Sequence, residues 1–331
     1  MAKPPLLSVQ DLLVEFPTRR GTLTAVDRVS FDLAEGEILG VVGESGAGKS
    51  LTGSAIIGLL EPPGRIADGA VYLEGERIDK LRGEALRTIR GKKIGMIFQD
   101  PLTSLNPLLT IGQQLTETIR THRPLSPSKA RGRALDLLNE VGIPAPERRI
   151  DHYPHQLSGG MRQRIVIALA LAAEPRLVIA DEPTTALDVS IQAQITGLLQ
   201  RLCRDHGTAV ILITHDMGVI AETAERVAVM YAGRIVEIGP VQSVVKQAQH
   251  PYTKGLMGAI PKVGESLDRL TQIPGSMPRL TAIPEGCAFN PRCEQAFGRC
   301  RRAPRPHLME AGPNRAACWL YAEAEEAAVH G

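Results

Sequence analysis

The 331-residue sequence has few aromatic residues, no long hydrophobic run and almost no net charge. Aromatic residues make up 3% of the chain, which is too few for a platform on which nucleic-acid bases stack. The formal net charge is +2, so no strong field attracts the chain to nucleic acid or to anionic lipid. The best apolar run, at 165–173, is about half the length of a membrane-spanning helix, and the N-terminus lacks the apolar core of a secretion signal. We therefore expect a cytosolic chain without a nucleic-acid partner.

Cysteine is also scarce, and four of the five cysteines lie close together near the C-terminus. The segments between them contain five, six and seventeen residues, unlike the C-x₂-C pairs of structural zinc sites. In a reducing compartment, clustered cysteines indicate metal ligation before disulfides. The fifth, Cys203, stands alone and is expected to be a small core residue. An iron–sulfur cluster, a zinc ion and free thiols remain open for the clustered residues, which are Cys287, Cys293, Cys300 and Cys318.

The stretch 43–50, GESGAGKS, fits the phosphate-loop pattern G-x-x-x-x-G-K-S. An apolar run at 38–42 predicts a buried strand before it, and 51–60 predicts a helix after it. Glycines let backbone N–H groups point inward, and the helix N-terminus adds about half a unit of positive charge. Lys49 is expected to reach the β- and γ-phosphates, and the Ser50 hydroxyl to ligate Mg²⁺. The sequence therefore predicts a site for a nucleoside triphosphate.

Polar residues follow three further predicted strands at the edge where ligands bind in α/β sheets. Gln99 comes after the first of these strands and is either a contact to Mg²⁺ or the attacking water, or a glutamine that caps its loop. After the strand at 177–180, Asp181 is expected to hold Mg²⁺ and Glu182 to orient and deprotonate water. His215 follows the third strand, where it could donate a hydrogen bond to a γ-phosphate oxygen.

A second helix start with anion-binding character lies at 157–164, LSGGMRQR. Ser158 is a natural N-cap, and Gly159 and Gly160 stand beside the helix N-terminus. Two such helix ends in one chain suggest a nucleotide that is shared between two subunits.

The remaining patterns describe the surrounding domain. Alternation at 6–42 and at 70–79 predicts antiparallel strands, and 103–151 predicts helices inserted between two core strands. A closing hairpin is expected within 226–238. Phe16 ends the first strand, where its ring would either stack on a base or pack in the core.

Taken in order, these motifs resemble those of an ABC-transporter ATPase subunit. The chain has counterparts of the Walker A loop at 43–50, the Q-loop at Gln99, the signature LSGGM at 157–161, Walker B at 177–182, the D-loop TALD at 185–188 and the H-loop at His215. The resemblance implies an α/β P-loop NTPase (ABC ATPase) core with an antiparallel β subdomain, an inserted helical subdomain and a loop-rich cysteine-containing C-terminal extension. The implied domains are a nucleotide-binding domain at 6–240, with the helical insertion at about 101–160, and an extension at 241–331.

Longer stretches resemble the oligopeptide/dipeptide permease ATPases in particular. They are QDPLTSLNP at 99–107, HYPHQLSGGMRQR at 152–164, QHPYTKGLMGAIP at 249–261 and the cysteine-containing tail from 273 to 321. Members of that group carry a [4Fe–4S] cluster in this extension, so the resemblance favours the cluster, with zinc as the alternative.

The resemblance also implies a role for each residue of the site. Glu182 would be the catalytic base, assisted by Gln99 and His215, and Mg²⁺ would be held by Ser50, Gln99 and Asp181. Phe16 would stack on adenine, and Ser158, Gly159 and Gly160 would grip the γ-phosphate bound to the opposite subunit. The nucleotide-binding residues of the loop itself would be Gly43, Ser45, Gly46, Ala47, Gly48, Lys49, Ser50 and Leu51.

The implied function is ATP hydrolysis that energises uptake of di- and oligopeptides. The expected partners are a second ABC ATPase subunit, identical or paralogous, two integral membrane permease subunits and a substrate-binding protein. The chain would then lie peripherally on the cytoplasmic face of the cell membrane. The alternative is an ABC-type ATPase that clamps nucleic acid or ribosomes without a transport partner; the single cassette and the lack of a basic stripe disfavour it.

Overall fold

The computed structural model describes residues 4–184, 188–258, 273–302 and 304–322. The strands in this part of the chain are β1 (Leu7–Thr18), β2 (Gly21–Leu33), β3 (Ile38–Val42), β4 (Arg65–Leu73), β5 (Glu76–Arg77), β6 (Ile94–Ile97), β7 (Leu177–Asp181), β8 (Ala209–Ile213), β9 (Arg226–Tyr231), β10 (Arg234–Pro240), β11 (Met309–Ala311) and β12 (Asn314–Ala316). The α-helices are α1 (Lys49–Ile56), α2 (Gly83–Ile89), α3 (Pro101–Ser104), α4 (Ile111–His122), α5 (Pro127–Glu140), α6 (Pro146–Arg149), α7 (Gly159–Leu171), α8 (Val189–His206), α9 (Met217–Thr223), α10 (Val241–Lys246) and α11 (Pro251–Gly258).

These elements form two compact units. Within the described residues, the first unit takes in the chain up to 32, residues 39–79 and those from 214 onward. The second unit takes in residues 33–38 and 80–213. The predicted domain boundaries, at 240 and around the insertion at 101–160, stay predictions.

The first unit contains a four-stranded sheet in the order β2-β1-β4-β5. β1 and β4 run antiparallel, with Leu7 opposite Leu73, and β4 turns into β5 at Glu74-Gly75. Both turn residues have positive φ, 52° and 81°, which suits a tight hairpin turn. The predicted antiparallel strands and this hairpin are confirmed.

A second group of strands in the same unit carries the phosphate loop. β3 pairs in parallel with β9, and β9 turns back into β10 through Ala232-Gly233, as expected. All five residues of β3 are buried, which explains its unbroken apolar sequence. β12 then pairs with β10, and β11 with β12. The sequence patterns did not predict this terminal hairpin, because its strands have only three residues each.

The second unit contains three parallel strands in the order β8-β7-β6. Every residue of β7 and β8 is buried. α4 begins in a capping box between Thr110 and Gln113 and buries one face, including Ile111, Leu115 and Ile119. The strand predicted at 177–180 and the helices predicted within 103–151 are confirmed.

Candidate functional site

The phosphate loop in the first unit has a backbone that only glycine can form. Gly43 has φ 153°, and a Cβ built there would lie 2.3 Å from the carbonyl oxygen of Met230. Gly48 has φ 100°, and its Cβ would lie 3.0 Å from the carbonyl oxygen of Ala25. Since a side chain would be strained at both positions and would also collide at Gly43, the loop has a fixed concave shape and is not a loose glycine-rich turn.

Lys49 begins α1 with its side chain folded back onto the loop. It is 5% exposed, and its ammonium group donates hydrogen bonds to the carbonyl oxygens of Gly43, over 2.8 Å, and Glu44, over 3.1 Å. By contrast, Ser45, Gly46 and Ser50 are exposed. The loop is therefore open to solvent at these three residues, with a buried cation directly behind its first residues. This arrangement fits a phosphate group.

Two further predicted contacts lie in this unit. Phe16 is half-buried, and a Cβ built on Gly64 would lie 2.7 Å from its ring. The ring thus packs on a backbone position that a larger residue could not occupy. His215 is exposed, and the Thr214 N–H before it donates to the carbonyl oxygen of Val41 in β3. His215 is therefore one residue away from a direct backbone link to the strand that leads into the phosphate loop.

In the second unit, two predicted catalytic residues meet. The Gln99 side-chain amide donates a hydrogen bond to a carboxylate oxygen of Glu182 over 3.1 Å. Asp181 is buried at the end of β7, and Glu182 follows it half-buried. The contact favours the catalytic interpretation of Gln99 over a glutamine that only caps its own loop.

The backbone at Glu182 is unusual. Its φ is 46°, in the left-handed region that non-glycine residues rarely adopt. The Glu182 N–H donates to the carbonyl oxygen of Ile213, which fixes this conformation between β7 and β8. Strained backbones of this kind concentrate at functional sites because the surrounding structure holds a side chain in one direction.

The signature segment begins α7 as predicted. The Ser158 hydroxyl caps the helix by accepting a hydrogen bond from the Met161 N–H over 3.4 Å. A Cβ built on Gly159 would have no heavy atom of the described residues within 4 Å, whereas one on Gly160 would lie 3.4 Å from Ile191. Neither packing nor a positive φ within the described chain therefore requires glycine at position 159.

The D-loop prediction falls largely outside the described residues, because 185–187 are not among them. The last residue of TALD, Asp188, is described. Its carboxylate accepts a hydrogen bond from the Ile191 N–H over 2.9 Å and so caps α8.

Sequence reasoning missed a set of contacts on Glu44, the second residue of the loop. Its N–H donates to the hydroxyl of Tyr252 over 2.9 Å, and its carboxylate pairs with Arg292. Burial raises the pKa of Tyr252 well above its ordinary value, so the hydroxyl stays neutral. The motif QHPYTKG pointed to Tyr252 only as part of a resemblance; nothing in its pattern indicated a contact 208 residues away.

The cysteine prediction needs correction. Cys287 and Cys300 are neighbours, since the Cys287 N–H donates to the Cys300 carbonyl over 2.9 Å. Yet no group of three or more His, Cys, Asp or Glu side chains in the described ranges is placed to hold a metal ion. The predicted [4Fe–4S] cluster on Cys287, Cys293, Cys300 and Cys318, and its zinc alternative, are therefore not supported, and the assignment is wrong.

The physical reason lies in how these thiols pack. Cys300 belongs to a buried apolar cluster with Met309 and Trp319, and Cys287 packs against it. Burial raises the pKa of the Cys287 and Cys318 thiols to about 11, so in this packing the protonated thiol is favoured near neutral pH. No disulfide joins the described cysteines.

Comparison with known proteins agrees with this geometry. The model of the ABC transporter family matches residues 26–185, and that of the oligopeptide/dipeptide transporter C-terminal region matches 236–300. The chain is 49% identical to the dipeptide transport ATP-binding protein DppD of Bacillus subtilis, over 98% of this chain and 97% of that protein. It is 47% identical to the protein of the same name from Escherichia coli, over 89% and 90% of the two chains.

A solved structure shows the same likeness in three dimensions. It is an ATP-binding cassette determined as a dimer in a post-hydrolysis state with ADP and Pi; it shares 31% identity and a TM-score of 0.65, over 71% of this chain and 98% of that one. The family models, the near full-length relatives and the cassette fold agree. This chain belongs to the ABC transporter ATP-binding subunits of the oligopeptide/dipeptide permease family.

Proposed function

We propose that this chain hydrolyses ATP to energise the import of di- and oligopeptides through partner membrane subunits. The observation that carries the proposal is the glycine cradle of 43–50, with Lys49 buried behind it. The cradle supports phosphate binding, and the likeness to dipeptide transport ATP-binding proteins over nearly the whole chain supports the coupling to peptide import.

In this proposal the first unit holds the nucleotide. Lys49 contacts the β- and γ-phosphates, and the backbone of Gly43–Ser50 surrounds them, with Ser45, Gly46, Ala47, Gly48 and Leu51 as further contacts. Phe16 stacks on the adenine. Mg²⁺, when bound with ATP, neutralises charge that develops on the phosphates, and its proposed protein ligands are Ser50, Gln99 and Asp181.

The proton chemistry is assigned to Glu182. Its carboxylate accepts a proton from the attacking water as the water oxygen bonds to the γ-phosphorus and the bond from that phosphorus to the bridging oxygen breaks, which releases ADP and phosphate. Gln99 orients that carboxylate through the 3.1 Å hydrogen bond. His215 donates a hydrogen bond to a γ-phosphate oxygen, where charge accumulates in the transition state.

We further propose that a second cassette completes each nucleotide site. Glycine at position 159 is not explained by any packing of the described chain, and it stands at the N-terminus of a 13-residue helix. A bare helix end suits the close approach of phosphate bound to another subunit. On this proposal, Ser158, Gly159 and Gly160 grip the γ-phosphate held by the partner cassette.

Membrane attachment is assigned to the partners. No described helix is both long and apolar enough to cross a bilayer. The proposed assembly contains two integral membrane permease subunits and a substrate-binding protein, with this chain on the cytoplasmic face. The clamp on nucleic acid or ribosomes receives no support, since the family match at 236–300 is to a transporter region.

Reconstitution into liposomes tests the proposal. The chain would be assembled with its permease subunits and binding protein, and phosphate release and uptake of a labelled dipeptide would be measured together. We expect both to require MgATP and to rise together with the dipeptide-loaded binding protein. A hydrolysis rate that does not change with the membrane subunits but rises with RNA or ribosomes would instead support a clamp on nucleic acid or ribosomes.

A further inference from the structure

The C-terminal extension is tied to the phosphate loop by one arginine. A terminal nitrogen of Arg292 lies 3.0 and 3.1 Å from the two carboxylate oxygens of Glu44. The Arg292 side chain is 7% exposed and that of Glu44 is 29% exposed. The pair is therefore partly shielded from solvent, which lets an ion pair contribute more than it does on an open surface.

Arg292 is held in place by several other groups. Its guanidinium donates hydrogen bonds to the carbonyl oxygens of Pro274, over 2.8 Å, and Ile273, over 3.3 Å. It also lies 5.8 Å from the ring centroids of Tyr231 and Phe289, within the range of cation–π attraction. Because these contacts already fix its guanidinium, Arg292 loses little side-chain conformational freedom when it binds Glu44.

Glu44 in turn is bonded through each of its polar groups. Its N–H donates to Tyr252, its carbonyl oxygen accepts from Lys49, and its carboxylate accepts from Arg292. The extension also lies close to the middle of the loop, because a Cβ built on Gly46 would be 3.3 Å from the Met277 methyl carbon. A chain of direct contacts thus runs from Arg292 through Glu44 to the lysine assigned to the phosphates.

The charges of Glu44 and Arg292 indicate how these contacts affect phosphate binding. A carboxylate next to an anion-binding loop repels phosphate, and a guanidinium bonded to it offsets that charge. We propose that Arg292 is a positioning residue for nucleotide binding, which acts through Glu44 to fix the start of the phosphate loop and to neutralise its carboxylate. The inference rests on the proposed ATP site and assigns a role in it to the C-terminal extension.

A double-mutant cycle tests the inference. Dissociation constants for MgADP would be measured on the full chain by competition with a fluorescent nucleotide, with thermal melts to confirm folding. We expect Arg292→Gln to weaken MgADP about tenfold, the scale of one lost charge-assisted hydrogen bond. In the Glu44→Gln background the same change should alter the constant by less than about twofold, because its target is absent.

Arg299→Gln is the matched control. Arg299 lies in the same cysteine-containing segment, but its guanidinium covers the Trp319 ring at 4.0 Å. We expect nucleotide affinity within about twofold of the unaltered chain for this variant. If Arg292→Gln does not fold, the cycle is run with Arg292→Lys, which keeps the positive charge but replaces the planar guanidinium. We expect a smaller loss of MgADP affinity for this variant, and no loss in the Glu44→Gln background.

An unchanged affinity in Arg292→Gln, or an equal loss in both Glu44 backgrounds, would overturn the inference while leaving the ATP site standing. Failure of the unaltered chain to bind MgADP would overturn the proposed function and this inference with it.

Discussion

The amide of Gln99 and the carboxylate of Glu182 are joined by a 3.1 Å hydrogen bond, although they lie 83 positions apart in the chain. The bond orients the residue proposed as catalytic base through a residue on a separate, exposed loop. Because a hydrogen bond to a carboxylate is directional, movement of the Gln99 loop changes where that base points. This is a physical route by which a membrane partner that contacts the loop would control hydrolysis.

Replacing Gln99 tests this route. In the assembled complex, Gln99→Ala should lower kcat by about ten- to a hundredfold through misplacement of the base, with little change in the KM for ATP. Gln99→Glu places a like charge beside the Glu182 carboxylate, and the two carboxylates repel each other. We therefore expect a lower kcat for Gln99→Glu than for Gln99→Ala. A kcat for Gln99→Glu equal to that of the unaltered complex would show that the two side chains do not interact during turnover.

A substitution at position 159 should impair the nucleotide site shared with a second cassette without disturbing the fold of the chain. Gly159→Asp adds a carboxylate in open space at the start of α7, where negative charge stabilises a helix. The melting temperature and MgADP affinity of the isolated chain should therefore be unchanged or higher. ATP turnover by the complex should fall at least about tenfold, because the carboxylate repels the partner's γ-phosphate.

Gly159→Asn is the control, since it adds similar bulk without charge, and it should lose less activity. If Gly159→Asp hydrolyses ATP at the normal rate, the 158–160 segment does not face a nucleotide.

His250 should make the fold sensitive to acid. It is 1% exposed, and burial, with a smaller contribution from Lys254, lowers its pKa to about 3. Below pH 6.5, the ordinary pKa of histidine, His250 binds a proton in the unfolded chain but stays neutral in the folded chain. The free energy of unfolding therefore decreases as the pH falls from 6.5 towards 3. The loss is roughly 1.4 kcal/mol per pH unit, or about that amount at pH 5.5.

Urea unfolding at pH 7.5 and 5.5 measures this effect. His250→Gln should be less stable at pH 7.5, because the Nδ1 atom that accepts from the Tyr252 N–H is lost. Its decline between the two pH values should nevertheless be smaller. His206→Gln, at an exposed position in α8, should keep the full decline, and an identical decline in the His250 variant would contradict the assignment.

Much of the molecule could be predicted from residue patterns. Unbroken apolar runs at 38–42 and 177–180 could only be buried strands, and the polar residues after them lie where the strands end. The glycines of 43–50 and the cap at Ser158 have local causes, namely backbone conformation and an unsatisfied helix end. Patterns of this kind are visible in sequence because neighbouring residues produce them.

What could not be predicted depends on contacts between distant segments. The pairing of Arg292 with Glu44 joins residues 248 positions apart and has no periodicity. The buried carboxylate of Glu237 accepts from the N–H groups of Gln249 and His250 and from the Asn314 amide, yet it reads as an ordinary strand glutamate. The cysteine spacings misled for the same reason, because they do not show that Cys300 is buried in an apolar cluster with Met309 and Trp319.

The central claim, that Glu182 is the base for ATP hydrolysis, is tested most directly by phosphate release from the assembled complex with Glu182→Gln. Glu174→Gln, a surface carboxylate of the same unit paired with Arg123, is the control. We expect Glu182→Gln to bind MgATP normally and to lower turnover by about a hundredfold or more, with the Glu174 variant unchanged. Turnover by Glu182→Gln at the rate of the unaltered complex would contradict the account.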